Sequence, residues 1–309
     1  MVHDADQPPV FTLNCPMVEF ILDIDIEPNY IFATSDVVYG LFACPDAIQL
    51  RALNPLGEAK TLAKTKENRA TFYYNADISH LYALYDDDGP SLLDYDVKGN
   101  KVNEVYKIPL LSKLGVWPIK MVAMKDEVFF VVDWHEEIEV FHVNLATPEE
   151  LIGICDIYIS SRHLVFHLAP LPRETPAVRL FYSDQKNYGF AATTLERWTP
   201  KYPFVAQPWR SKCRSFSELH PIVGSDFGRY GDEGTSILLD CTSDNIPARE
   251  DCGQLDSAGD LFDSLAASDG NGKVYFLRGR RYRDPRSARV PDESIRLVKA
   301  YTYIRNIDN

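Results

Sequence analysis

The amino-acid sequence predicts an all-β protein built from a repeated unit of four short strands. Two observations predict it. Apolar runs of about six residues, rich in β-branched and aromatic types, recur along the first two thirds of the chain, which is typical of strands and too short for helices. Their spacing is also nearly constant, because the equivalent residues Tyr39, Tyr82 and Phe129 are 43 and 47 residues apart.

Each unit has two central apolar runs joined by a polar loop, a pattern that indicates a hairpin. The three pairs of runs are residues 37–42 and 47–53, 80–85 and 91–96, and 127–132 and 138–143. An apolar stretch precedes each pair, and a weaker one follows it. The preceding stretches are residues 30–34, 70–75 and 116–123, and the following ones are residues 59–63, 101–108 and 151–154. Four strands in each ~45 residues is the blade unit of a β-propeller.

The later repeats are less regular. A fourth copy predicts an inner strand at 157–160, middle strands at 163–168 and 177–183, and an outer strand at 188–195. Prolines and glycines crowd residues 199–234, which indicates an irregular insertion or a distorted blade. Clear strands return at 235–242, 273–278 and 294–304. We therefore expect residues 1–309 to form a single propeller of six blades with irregular later blades. Residues 1–28 would add a closing strand to the last blade and so remove an exposed sheet edge.

Composition excludes several classes of partner. The chain has 45 acidic and 32 basic side chains and a formal net charge of −13, which argues against nucleic-acid binding. No run approaches the ~20 apolar residues of a membrane helix. No signal peptide is visible at the N-terminus, so the sequence leaves the compartment and the oligomeric state open. The six cysteines permit secretion, with Cys241 and Cys252 as the pair best placed for a disulfide, or they are independent thiols.

Cofactor and metal motifs are missing from the sequence. There is no nucleophile elbow and no phosphate-binding loop, so we expect no cofactor and neither a hydrolase nor an oxidoreductase. His163 and His167 would lie about 13 Å apart on one strand, too far to share a metal ion. The acidic loops at residues 86–88 and 133–137 either converge on a hard cation or a polar ligand or are ordinary solvated turns. We therefore predict no metal site.

The predicted inner strands are unusually aromatic, which indicates an apolar central funnel, although the aromatic side chains could instead pack between blades. An apolar funnel with a few polar groups is the usual form of a small-molecule site. The first hypothesis is therefore that the funnel binds a small organic or carbohydrate ligand. The candidate hydrogen-bond donors are Lys120, Tyr73, Tyr158 and His135. The candidate ligand-binding residues are Phe72, Tyr74, Asn75, Trp117, Trp134 and Asp133.

The three clear repeats resemble six-bladed β-propellers in general. In size and period the chain is similar to fungal propeller lectins, but it lacks the arginine and tryptophan that those proteins repeat in each blade. In architecture and aromatic funnel it also resembles propeller-type cyclases of secondary metabolism, including hetero-Diels–Alder catalysts. That resemblance implies a second hypothesis, a cofactor-free lyase or cyclase that acts by orienting its substrate and by hydrogen bonding. A protein-interaction scaffold is the third.

Overall fold

The computed structural model describes most of the chain as β-strands. The described residues are 10–35, 37–124, 126–134, 137–158, 165–172, 176–184, 189–196, 205–210, 219–232, 235–242, 265–278 and 295–305. They contain 23 strands and one short helix, α1 (Leu111–Leu114). The prediction of an all-β fold is confirmed.

The strands are numbered in chain order. Their bounds are β1 Val10–Leu22, β2 Tyr30–Ala33, β3 Val38–Ala43, β4 Ala47–Asn54, β5 Leu56–Lys64, β6 Ala70–Asn75, β7 His80–Asp86, β8 Pro90–Asp96, β9 Lys101–Lys107, β10 Lys120–Met124, β11 Glu127–Asp133, β12 Glu137–Asn144, β13 Leu151–Tyr158, β14 Val165–Pro170, β15 Ala177–Asp184, β16 Gly189–Glu196, β17 Val205–Arg210, β18 Leu219–Val223, β19 Phe227–Asp232, β20 Thr235–Asp240, β21 Leu265–Ser268, β22 Lys273–Arg278 and β23 Ile295–Arg305.

The described strands form antiparallel sheets arranged as propeller blades. Sheets 1 to 4 each contain four consecutive strands: β2–β5, β6–β9, β10–β13 and β14–β17. The other strands form one seven-stranded sheet in the order β1-β23-β22-β21-β18-β19-β20. Within it, β18 and β21 pair in parallel and so join two antiparallel groups. The β-propeller fold is thus present, and the number of blades stays a prediction.

The first and last described strands lie side by side. β1 pairs with β23 in antiparallel register, with Val10 opposite Arg305 and Leu22 opposite Ile295. β1 is thereby the outermost strand of the seven-stranded sheet. Backbone hydrogen bonds between these two strands connect the two ends of the described chain and cover an edge of β23.

Both faces of sheet 2 are buried against a neighbouring sheet, which explains its continuous apolar runs in the sequence. In β7 of sheet 2, Leu81, Ala83 and Tyr85 belong to the core shared with sheet 1. Tyr82 and Leu84 point the other way, into the core shared with sheet 3. Successive side chains of a strand point to opposite faces, so a strand that is buried on both faces needs an apolar residue at nearly every position.

Aromatic rings and one lysine connect sheets 1 and 2. The Phe32 ring of sheet 1 stacks on Tyr74 of sheet 2, with ring centroids 4.4 Å apart. At the outer side of the same interface, Lys60 Nζ donates to Tyr95 Oη at 3.0 Å and to the backbone oxygen of Asn100 at 2.8 Å. The interface is therefore apolar in its interior and polar at its rim.

The fourth repeat differs from its prediction by one strand. Residues 157–160 were expected to begin a new inner strand, but residues 151–158 form a single outer strand, β13. A bulge causes the error: Val140 pairs with Cys155 and Phe141 with Gly153, so Ile154 is an extra residue in an otherwise continuous strand. The inner strand is β14, and 177–184 and 189–196 form the two middle strands.

The region expected to be irregular contains strands where it is described. β17 lies within residues 199–234 as the outer strand of sheet 4, and β18 and β19 form a hairpin there. Pro208 is accommodated because β17 is an edge strand. No helix in the described part of the chain has the length and hydrophobicity needed to cross a membrane.

The core between sheets 2 and 3 makes a quantitative prediction. Phe130 is fully buried in it. Replacing Phe130 with alanine should lower the free energy of unfolding by about 3–5 kcal/mol, because the ring leaves a cavity that closed sheets cannot fill. Val102→Ala on the exposed strand β9 is the control and should change it by less than about 0.5 kcal/mol. Urea denaturation measures both, and equal effects would contradict this packing.

Candidate functional site

A cavity of about 920 Å³ lies where the inner strands of the sheets meet. Residues of β2, β6, β10, β14, β18 and β21 line it. Each of the first four is the innermost strand of its sheet, and β18 and β21 are the parallel pair of the seven-stranded sheet. Inner strands contact their neighbours around the cavity, so it occupies the axis of the propeller.

Two sets of hydrogen bonds show that β6 and β10 run in the same direction along the axis. Near the start of β6, Thr71 Oγ1 donates to the backbone oxygen of Pro118 at 2.5 Å and accepts from Trp117 Nε1 at 3.2 Å. At its end, Asn75 Nδ2 donates to the backbone oxygen of Ala123 at 3.0 Å. The cavity therefore has two ends: the start end lies near Thr71, and the far end lies near Asn75. Four residues of a strand separate these ends, which corresponds to about 13 Å.

Aromatic residues of β2 and β6 form one wall of the cavity, and the Phe72 and Tyr74 rings also pack in the core between sheets 1 and 2. Tyr30, Phe72, Tyr73 and Tyr74 all line the cavity. Tyr30 Oη accepts a hydrogen bond from the backbone N–H of Tyr74 at 3.0 Å, and its ring lies 6.0 Å from that of Phe72. Burial raises the pKa values of the Tyr30 and Tyr73 phenols above their ordinary range. Both hydroxyls are therefore protonated at neutral pH, and Tyr73 can act as a hydrogen-bond donor.

Lys120 and His167 bring basic groups into the cavity from the neighbouring strands β10 and β14. Lys120 is the first residue of β10 and lies towards the start end. Loss of solvent lowers the pKa of its ammonium group. Burial, reinforced by the charge of Lys120, lowers the pKa of His167 to about 3, so this imidazole is neutral at pH 7.

Acidic groups line the far end. Asp77 follows β6, and Asp226 lies in the loop between β18 and β19. Desolvation and the nearby carboxylates of Asp240 and Asp77 raise the pKa of Asp226. The ionisable side chains are thus distributed unevenly: the lysine lies at one end and the two carboxylates at the other.

Five of the sequence-predicted site residues meet at this cavity. Lys120 and Tyr73 were expected as donors, and Phe72, Tyr74 and Asn75 as ligand-binding residues. All five line the cavity. Four of them are consecutive residues of β6, and Lys120 comes from the adjacent inner strand.

Three predicted ligand-binding residues lie outside this cavity. Trp117 precedes β10 and packs between sheets 2 and 3, where its indole N–H is held by Thr71. Trp134 packs on the same core and donates from Nε1 to Glu139 at 3.2 Å. Asp133 ends β11, the second strand of its sheet, and pairs with Ile138. None of them is among the residues that line the cavity.

Of the two other predicted donors, the structure describes Tyr158 alone, and it lies on an outer strand. Tyr158 ends β13, the outermost strand of sheet 3, and pairs with Glu137. Its assignment to an inner strand is therefore wrong, for the reason given by the bulge at Ile154. His135 lies outside the described residues.

The acidic loop at residues 86–88 is an ion-paired turn. Asp86 Oδ1 accepts from the backbone N–H of Gly89 at 3.0 Å, and Asp88 forms an ion pair with Lys66. Lys107 Nζ donates to the backbone oxygen of Asp87 at 2.7 Å. Among the described residues, no group of three or more His, Cys, Asp or Glu side chains could hold a metal ion. Cys252 lies outside them, so its pairing with Cys241 stays a prediction.

Sequence reasoning missed three groups at the cavity. His167 was assigned to a middle strand, and neither Asp77 nor Asp226 was named as a site residue. The available signal for Asp77 was its position directly after an inner strand, because the connections that follow inner strands meet at one face of a propeller. No comparable signal existed for His167, because the repeat pattern predicted residues 163–168 as a middle strand.

Comparison with known proteins supports the fold and does not assign a family. Neither protein-family models nor curated proteins match the sequence. A structural genomics protein of unknown function from Bacteroides thetaiotaomicron is similar in structure, with a TM-score of 0.50, 11% identity, and coverage of 93% of this chain and 77% of that chain. The WD40 domain of Toxoplasma gondii coronin has a TM-score of 0.46, 8% identity, and coverage of 98% and 90%. Because the sequence identities are only 11% and 8%, the similarity to these two structures concerns the fold alone.

The hydrogen bonds of Thr71 predict a stability effect. Thr71→Val keeps the shape of the side chain but leaves the Trp117 indole N–H and the Pro118 carbonyl without this partner. We expect a loss of about 1–3 kcal/mol in the free energy of unfolding. Thr61→Val, at an exposed position of β5, should change it by less than about 0.5 kcal/mol. Urea denaturation followed by tryptophan fluorescence tests this, and equal stability of the two variants would contradict the interaction.

His167 predicts a pH dependence of stability. Its pKa in the folded protein is about 3, against 6.5 in a free chain, so between these values the unfolded chain binds the proton more readily. The contribution of neutral His167 to the free energy of unfolding is complete above pH 6.5. It is lost progressively as the pH falls towards 3. His167→Gln should therefore lose stability less steeply than the wild type between pH 6.5 and 4.5. Urea titrations at several pH values measure this, and an NMR titration midpoint near 6.5 for His167 would contradict it.

Proposed function

We propose that the central cavity binds a small organic molecule with a flat, largely apolar body. The observation that carries the proposal is the wall of Tyr30, Phe72, Tyr73 and Tyr74 in a cavity of about 920 Å³. Pockets for small molecules have volumes of roughly 300–1,000 Å³ and combine apolar walls with a few polar groups. Met121 and Met124 extend the apolar lining on β10.

Polar groups beside this wall would orient the ligand. The Tyr73 hydroxyl is protonated, and the backbone of β6 has no strand beside its inner edge in the described sheet. The hydrogen bond from the Tyr74 N–H to Tyr30 shows that backbone groups of this edge face the neighbouring blade and the cavity. A flat ligand that stacks on the rings could therefore also form hydrogen bonds. A carbohydrate would use the same surface, because sugars offer an apolar face and hydroxyl groups.

A cofactor-independent cyclase is a second use of the same cavity. The favourable observation is that Tyr73 and Lys120 remain as donors near an apolar wall. A pocket of this kind accelerates a cyclisation by restricting the substrate to a reactive conformation and by hydrogen bonding to a developing oxyanion. Formation of a cyclic product without added cofactor would distinguish catalysis from binding alone.

A protein-interaction scaffold is supported by a different surface. On β9, the outer strand of sheet 2, Val102 and Val105 are exposed to 44% and 43%. Exposed apolar residues on an outer strand suit a protein partner that pairs with or packs on that edge. This surface is remote from the cavity, so the two proposals respond to different substitutions.

Blocking the cavity tests small-molecule binding. Ile119 and Ile78 line opposite ends of it, and both are 42% exposed, so tryptophan can replace either one without entering the closed core. Isothermal titration calorimetry with 2-naphthalenemethanol, and separately with methyl α-glucoside, should detect binding to the wild type. Ile119→Trp or Ile78→Trp should weaken binding at least tenfold, because the larger ring occupies the cavity.

Val105→Trp is the matched control, since it places the same ring on the outer strand β9. It should leave the Kd within twofold of the wild-type value. The proposal fails if neither compound binds, or if the three tryptophan variants weaken binding equally. Loss of a protein partner in Val105→Trp, with binding of both compounds intact, would support the scaffold.

A further inference from the structure

The start end of the cavity contains a cation, the side chain of Lys120, that pairs with no carboxylate in the described part of the chain. Among the described residues, the Lys120 side chain forms no hydrogen bond or ion pair, although it is partly buried and lines the cavity. Removing an ammonium group from water costs free energy unless an opposite charge or hydrogen-bond acceptors replace the water. Loss of solvent alone lowers its pKa, with no carboxylate opposing that effect.

Other buried charged groups in the described sheets are paired within the protein. Glu127 pairs with His142, and the guanidinium of Arg179 donates to Thr194 and to the backbone oxygen of Cys241. Asp94 accepts hydrogen bonds from Asn103 and contacts His80 Nδ1 at 2.7 Å. These pairs join strands and need no ligand. Lys120 differs from them because it faces a cavity large enough to admit one.

The groups around Lys120 favour an anion at this end. His167 on β14 is neutral at pH 7, so it can donate one N–H without adding a charge. Asp77 and Asp226, the carboxylates among the described lining residues, lie towards the far end of the cavity.

We infer that the Lys120 end of the cavity is a subsite for the carboxylate of an aromatic organic acid. The ammonium group of Lys120 pairs with the carboxylate, one N–H of His167 on the adjacent strand β14 is a further donor, and the aromatic body rests on the wall formed by β2 and β6. This inference rests on the proposed function, because it names the class of ligand for the same cavity.

The net charge of the protein makes a preference for an anionic ligand informative about the site. The protein has a formal charge of −13, so its overall field repels anions. A preference for an acid over a neutral molecule of the same shape therefore requires a local cation that acts at short range. A charge-assisted hydrogen bond in a partly desolvated site can supply this preference.

Calorimetry with a matched pair of ligands tests the subsite. The probes are 2-naphthoate and 2-naphthalenemethanol, which share the ring and differ in charge. At pH 7 the wild type should bind the acid at least tenfold more tightly than the alcohol. Lys120→Met should reduce this ratio to within twofold. Lys113→Met removes an exposed lysine of α1 and should keep at least half of the wild-type ratio.

The outcomes separate the subsite from the cavity. Equal affinity of the wild type for acid and alcohol, or an unchanged preference in Lys120→Met, overturns the subsite and leaves small-molecule binding in place. Absence of binding by both probes overturns the proposed function and the subsite with it. Circular dichroism and thermal unfolding check that Lys120→Met is folded, and Lys120→Gln replaces it if it is not.

Discussion

The structure depends on sheets that are apolar on both faces. Leu81, Ala83 and Tyr85 of β7 pack towards one neighbouring sheet, and Tyr82 and Leu84 pack towards the other. Hydrophobic burial on this scale requires a sheet on each side. An open stack would leave two apolar faces in water, whereas a ring leaves none. The pairing of β1 with β23 and the parallel contact between β18 and β21 serve the same requirement.

A ring of twisted sheets leaves space at its axis, and the residues on the inner strands decide its chemistry. Here those strands contribute aromatic rings from β2 and β6 and basic groups from β10 and β14. The connections that follow β6 and β18 contribute the carboxylates of Asp77 and Asp226. Fold and site therefore have separate origins: the middle strands stabilise the ring, and the inner strands with their connections give the cavity its polarity.

The sequence predicted the regular part of this arrangement well and the irregular part poorly. Tyr39, Tyr82 and Phe129 all lie in the second strand of their sheets, as the repeat predicted. This prediction succeeded because long apolar runs at a constant spacing can be recognised without knowledge of tertiary contacts. The bulge at Ile154 is a local change of register that depends on β12 and leaves no distinct mark in composition. In the sequence analysis, His167 was consequently assigned to a middle strand and Tyr158 to an inner strand. Trp117 was misassigned for a related reason, since a tryptophan next to an inner strand can face either the axis or the next blade.

The pairing of β1 with β23 also has a consequence for synthesis. β1 contains 13 residues, and its partner occupies residues 295–305, so a growing chain on the ribosome carries β1 unpaired until residues 295–305 have been made. An unpaired strand of this length can pair with other chains during that interval. Assembly of the earlier sheets can precede translation of β23, but closure of the ring cannot. β1 therefore stays available for pairing with other chains until β23 emerges.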